Sequence, residues 1–126
     1  MRCYFDVSAL VKRFKPERGQ EVVKKTIEEA SLGLHEIHSI HWARTEFYVA
    51  MRRGNVPQRL AARNLRVLDK IILFDDLSSK MVNDALNLVY EFTLHAADAV
   101  HLAACMDLKC DTILTDDEHL IREGIK

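Results

Sequence analysis

Cysteine is scarce in this chain. There are three, Cys3, Cys105 and Cys110, an odd number in apolar surroundings. That argues against a disulfide framework and for reduced packing thiols. The spacing from Cys105 to Cys110 matches no common zinc pattern. Long hydrophobic runs are missing as well, and the N-terminus leads straight into structure. Neither a membrane span nor a signal peptide is read, so a cytoplasmic protein is expected. There is no excess of charge of one sign: the formal net charge is -1 at pH 7. Overall charge therefore names no partner, and any pull on nucleic acid must come from local patches. Repeats, linkers and low-complexity segments are lacking. What is present is globular: 126 residues, 48% hydrophobic and 29% charged. The reading is a single domain over 1–126, large enough to bury roughly two thirds of its unfolded surface without staples.

Short apolar runs alternate with helical patterns. Arg2-Cys3-Tyr4-Phe5-Asp6-Val7 reads as a buried strand ending near Asp6. Ser8 can cap a short helix over 9–14. Pro16 is placed to begin the next, over 17–30, which Gly33 closes. A strand over 34–40 precedes a helix over 41–53, with Ser39 as its cap and Gly54 at its end. Pro57 starts a helix reaching about Lys70, and 71–74 is a short strand. Ser78 or Ser79 caps a helix to about Tyr90, and another runs over 96–106. Residues 112–115 form a strand, followed by a short helix around 118–122, with Thr115 and Glu118 at capping-box spacing. Each return to a parallel strand needs a crossover, so the expected fold is α/β, a three-layer α/β/α sandwich with a mainly parallel central sheet.

Several carboxylates stand where apolar patterning alone would not put them. Asp6 ends the first buried strand, and ligands bind outside the carboxyl ends of strands in open α/β sheets. Its alternative role is to cap the following helix. Glu46 shares a helical face with Ala43, Phe47 and Ala50; the alternative is a surface-edge pairing with Arg44 or Arg53. Asp98 lies in a helix that is apolar nearly all round and stacks with Leu102 and Cys105, where an unpaired charge is costly. It can instead serve its own helix N-terminus. Asp116 and Asp117 follow the strand over 112–115, and one of them can cap the final helix.

Carboxylates gathered at one sheet end would repel each other. A hard divalent cation resolves that conflict, since Mg²⁺ takes oxygen ligands and typically joins a few carboxylates to substrate phosphate. This is the logic of metal-assisted phosphodiester hydrolysis.

The segment Tyr4-Phe5-Asp6-Val7-Ser8-Ala9-Leu10-Val11-Lys12 resembles the opening of PIN domains, and of VapC-type toxin ribonucleases in particular. A helical Glu follows, matched by Glu46. Ala97-Asp98-Ala99-Val100-His101-Leu102-Ala103 is similar to the family's most distinctive segment, and Thr115-Asp116-Asp117 to its Thr-x-Asp at a strand end. The resemblance spans nearly the whole chain. It implies that Asp6, Glu46, Asp98 and Asp117 carry Mg²⁺ or Mn²⁺, supported by the hydroxyls of Ser8 and Thr115. Asp116 then occupies the variable middle position, although the doublet leaves the fourth ligand open between it and Asp117. Membership would further imply an RNA endonuclease, a small antitoxin as partner, and a homodimer. The chain stops at Gly124-Ile125-Lys126, where members of that family continue into a last strand.

Around this set lie basic residues and histidines. Arg59, Arg63 and Arg66 share a helical face in a stretch that also holds Arg52, Arg53 and Lys70. Such a stripe suits a phosphate backbone, an acidic partner or plain solvent. Lys12 and Arg13, near Asp6 in sequence, are candidates for touching phosphate. His35, His38 and His41 recur every third residue but read as structural. His101 can bond Asp98 one turn away, and a core role suits it better than catalysis. Trp42, Phe47 and Tyr48 can stack on bases, but read better as packing. Two other functions stand beside the toxin: an RNA-processing PIN nuclease without an antitoxin, and a non-catalytic PIN-like RNA-binding or scaffold module. The acids argue against the second. A phosphoacceptor receiver domain would need an acceptor Asp ending the third strand, and Asp75 and Asp76 do not fit its order of acids.

Overall fold

Arg2-Cys3-Tyr4-Phe5 shows no polar alternation. In the computed structural model, which describes residues 1–116, it forms strand β1 (Arg2–Phe5), buried from Cys3 onward. A strand buried on both faces belongs inside a parallel sheet. The chain continues through α1 (Val7–Lys12), α2 (Gln20–Ser31), β2 (Glu36–Ile40), α3 (His41–Arg53), α4 (Gln58–Asp69), β3 (Leu73–Asp75), α5 (Ser79–Phe92), α6 (Ala96–Asp107) and β4 (Thr112–Leu114). The sheet order is β3-β2-β1-β4 and every pairing is parallel. Cys3 lies opposite Ile37 on one side and Thr112 on the other.

The steps from β1 to β2 to β3 run in one direction, and the connection through α5 and α6 returns across the sheet to β4. Right-handed crossovers place these two sets of helices on opposite faces, giving the expected three layers. Tyr4, Phe5, Leu10, Ile37, Ile40, Phe47 and Leu68 are fully buried between them. Among the described residues, no helix is long and apolar enough to cross a membrane.

Helix α3 has the expected bounds, while other elements shift for local reasons. Asp6, not Ser8, caps α1: its side chain accepts from the Ala9 amide, so the helix starts at Val7. Pro16 does not open α2, because Gly19 sits at φ +91° and the helix begins after it. Leu34 belongs to the closing turn of α2, its amide bonded to the Glu29 carbonyl beyond left-handed Gly33, so β2 starts at Glu36. Ile71 and Ile72 likewise close α4 through the Leu68 carbonyl, which moves β3 to Leu73. Ser39 caps nothing; it is buried in β2 and donates to the Phe5 carbonyl at 2.7 Å. Ser78 does cap α5, accepting from the Met81 amide at 3.1 Å. The helix expected around 118–122 lies outside the described residues.

Candidate active site at the carboxyl edge of the sheet

Parallel strands present their carboxyl ends at one edge. There β1 delivers Asp6 and β4 delivers Thr115 and Asp116, while α3 leaves β2 at the same level. Helix α6 is part of the crossover into β4 and runs antiparallel to it. Its first turn, which holds Asp98, therefore lies toward that edge.

Asp6 is buried, at 5% exposure, and both of its carboxylate oxygens meet donors. Its Oδ1 accepts from the Ser8 hydroxyl at 2.5 Å and the Ala9 amide at 3.2 Å, and its Oδ2 accepts from the Thr115 hydroxyl. Ser8 Oγ also accepts from the Asp116 amide at 3.0 Å, tying the end of β4 to the start of α1. Capping and ligation are thus compatible. A carboxylate offers about four lone-pair positions, and these three donors leave room for a further partner.

Asp116 forms an ion pair with Lys12, whose ammonium also meets Glu17 at 3.1 Å. Burial alone would lower the Lys12 pKa, but bonds to Asp116 and Glu17 outweigh it and hold the ammonium above its ordinary value. The Lys12 side chain is only 6% exposed. Lys12 is therefore not the open phosphate contact expected from its position beside Asp6; it is an internal tie between α1 and the end of β4. A Cβ at Gly19 would stand 3.0 Å from Lys12 Cε, so glycine there serves both the left-handed turn and the lysine stem.

Glu46 reaches inward from α3 and pairs with neither Arg44 nor Arg53. Its Oε1 lies 2.5 Å from His101 Nε2, while Arg44 pairs with Asp69. His101 Nδ1 is 2.7 Å from the Tyr4 hydroxyl. Burial pushes the Tyr4 phenol well above its ordinary pKa, and the charges of Asp6 and Glu46 add to the effect, so both acids act on one hydroxyl. Asp98 is half-buried, one turn before His101 on the same helix. Asp117 lies outside the described residues.

The acids at this edge are oxygen donors of the kind a hard cation takes, and the anchored Asp6 carboxylate with a lone-pair position left fits such an ion. Among the described residues, no three Asp, Glu, His or Cys side chains already form a metal cage.

The histidines at three-residue spacing do not converge. His35 bonds Glu29 at 2.6 Å, and His38 bonds Glu36 and Asp75 within the sheet. His41 stacks on Phe74. Phe47 is core, whereas Trp42 is 37% exposed and stacks on the His101 ring. Arg59, Arg63 and Arg66 are exposed on α4. The partnership missed in the sequence is Tyr4–His101–Glu46; its signal there was a histidine in a helix that is apolar nearly all round.

No curated protein matches the chain. Among solved structures it is similar to VapC20 of Mycobacterium tuberculosis, described as a sarcin-ricin loop cleaving toxin. The TM-score is 0.76 at 10% identity, over 97% of this chain and 95% of that one. It is also similar to a chain of a toxin-antitoxin complex from Klebsiella pneumoniae, with TM-score 0.66 at 18% identity, over 94% and 89%. At such identities the likeness concerns the fold. The family model described as the PIN domain matches residues 3–125, nearly the whole chain, and the chain belongs to the PIN-domain family.

Proposed function

We propose that this protein is a metal-dependent endoribonuclease that hydrolyses RNA phosphodiester bonds and acts as the toxin of a toxin–antitoxin pair. The observation that carries the reading is Asp6: a buried carboxylate, fixed by Ser8, Ala9 and Thr115 at the carboxyl edge of a PIN-domain sheet. In this reading Asp6, Glu46, Asp98 and Asp117 hold Mg²⁺ or Mn²⁺. When bound, the ion supplies an activated water and charge stabilisation at the phosphate. Ser8 and Thr115 keep the Asp6 carboxylate from rotating. The ion pair of Lys12 with Asp116 supports Asp117 over Asp116 as the fourth ligand in this reading. The exposed arginines of α4 would meet the RNA backbone or an acidic partner. An antitoxin partner and a homodimer in the cytoplasm complete the proposal; the Klebsiella neighbour, solved in a toxin–antitoxin complex, supports the first of these.

The test is cleavage of a mixed RNA pool with and without Mn²⁺ or Mg²⁺, wild type beside Asp98→Asn. Cleavage that requires metal and vanishes in the variant is expected. A variant that cuts at the wild-type rate would remove Asp98 from the metal site. Wild type that neither binds metal nor cuts would return the chain to a non-catalytic role.

A further inference from the structure

A buried imidazole beside a proposed metal ligand has both nitrogens committed. His101 is 2% exposed. Its Nε2 faces Glu46 at 2.5 Å and its Nδ1 faces the Tyr4 hydroxyl at 2.7 Å. The Trp42 ring lies over it, centroids 5.7 Å apart and planes 27° from parallel. We propose that His101 is a positioning residue that holds the Glu46 carboxylate in the orientation a divalent cation needs, its own ring being locked by Tyr4 and Trp42. This rests on the metal-site reading above.

The direction of the bonds follows from chemistry. An ionised carboxylate only accepts, so Nε2 carries the hydrogen toward Glu46. In the neutral ring Nδ1 is then bare and accepts from Tyr4. Only Oε1 of Glu46 is hydrogen-bonded among the described residues, and the second oxygen remains for a cation. A glutamate on a helix has several rotatable bonds, and fixing it before the ion arrives removes an ordering cost. Tyr4 stands two residues before Asp6 on β1, and His101 one turn after Asp98 on α6. The chain Tyr4–His101–Glu46 thus references an acid of α3 to the two elements that carry Asp6 and Asp98. Packing alone would not select histidine here: phenylalanine would fill the space under Trp42 without two buried nitrogens that each demand a partner. Nor does the ring suit proton shuttling, since both nitrogens are tied to protein groups away from solvent.

The experiment is Mn²⁺ binding by calorimetry without RNA, on wild type, His101→Gln, His101→Asn and Tyr4→Phe. A glutamine amide reaches as far as Nε2 and keeps a donor to Glu46. Asparagine reaches only as far as Nδ1, leaving Glu46 without one. His101→Asn should weaken Mn²⁺ roughly 10–100-fold, whereas His101→Gln stays within about threefold of wild type. A merely structural role would make affinity follow the melting temperature of the two variants, not the reach of the amide. Folded His101→Asn with wild-type affinity, or equal losses in both variants, would overturn the proposal. Should His101→Asn not fold, Tyr4→Phe decides: several-fold weaker Mn²⁺ supports the relay and unchanged binding rejects it. Wild type without Mn²⁺ affinity would remove the metal site and this inference together, whereas intact wild-type binding with an indifferent His101 removes the inference alone.

Discussion

Asp6→Asn should separate metal binding from folding. Asparagine caps a helix about as well as aspartate, so the bond from the Ala9 amide survives. The bond from Ser8 loses its charge assistance, and the Thr115 hydroxyl, now facing an amide NH₂ that only donates, must turn to accept from it, about 1 kcal/mol each. Removing a buried charge returns part of that. The net cost is about 1 kcal/mol, or a fall of about 5 °C in melting temperature for a domain of this size. Asp6→Ala instead strands all three donors. Loss of the cap is about 1 kcal/mol, and each hydroxyl left without its acceptor adds about 1 kcal/mol, for a total near ~3 kcal/mol. Wild type in Mn²⁺ at 100 times its dissociation constant should gain about 2.7 kcal/mol, and neither variant should gain any. The assay is scanning calorimetry with and without Mn²⁺, with RNA cleavage on the same samples. Mn²⁺ raising the melting temperature of Asp6→Asn as it does wild type would refute the ligand assignment. Equal stability of Asp6→Ala and Asp6→Asn would refute the hydroxyl and cap network.

Two further outcomes are expected. Arg63→Ala combined with Arg66→Ala should weaken RNA binding at low salt and flatten its dependence on salt, since both side chains are exposed on one face of α4; unchanged binding in a salt titration would assign the face to solvent or to a protein partner. His38 supplies a pH dependence. Burial lowers its pKa, but Glu36 and Asp75 outweigh that and hold it above the ordinary value of 6.5. Its contribution to stability is therefore complete below 6.5 and is lost as pH rises through the raised value. Denaturant midpoints measured from pH 5 to 9 should lose that decline in His38→Gln, and an unaltered pH profile would show that the Glu36–His38–Asp75 bridge contributes nothing.

Much of the fold could be read from the chain because its signals are local. An apolar run ending in Asp6, the 3.6-residue pattern of α3 and the punctuation by Gly33, Gly54 and Pro57 act within a few residues. Element order and the parallel sheet followed. Strand starts were displaced where a helix-closing turn consumed the first apolar residues, as at Leu34, Ile71 and Ile72; hydrophobicity there does not distinguish a turn from a strand. Side-chain partners were the least legible. Lys12 and Asp116 are 104 positions apart and Glu46 and His101 are 55 apart. Nothing in the local pattern of either member names the other.

The sequence by itself determined that an α/β fold would form and that acids would end its strands, because periodicity and strand-end placement are properties of short segments. Only the tertiary structure decided what each side chain does at the edge of the sheet. It made Asp6 a cap held by hydroxyls, Lys12 a buried tie and His101 the partner of Glu46. The reason is physical: a buried polar atom must find its counterpart, and packing, which joins residues far apart in the chain, sets which counterpart is within reach.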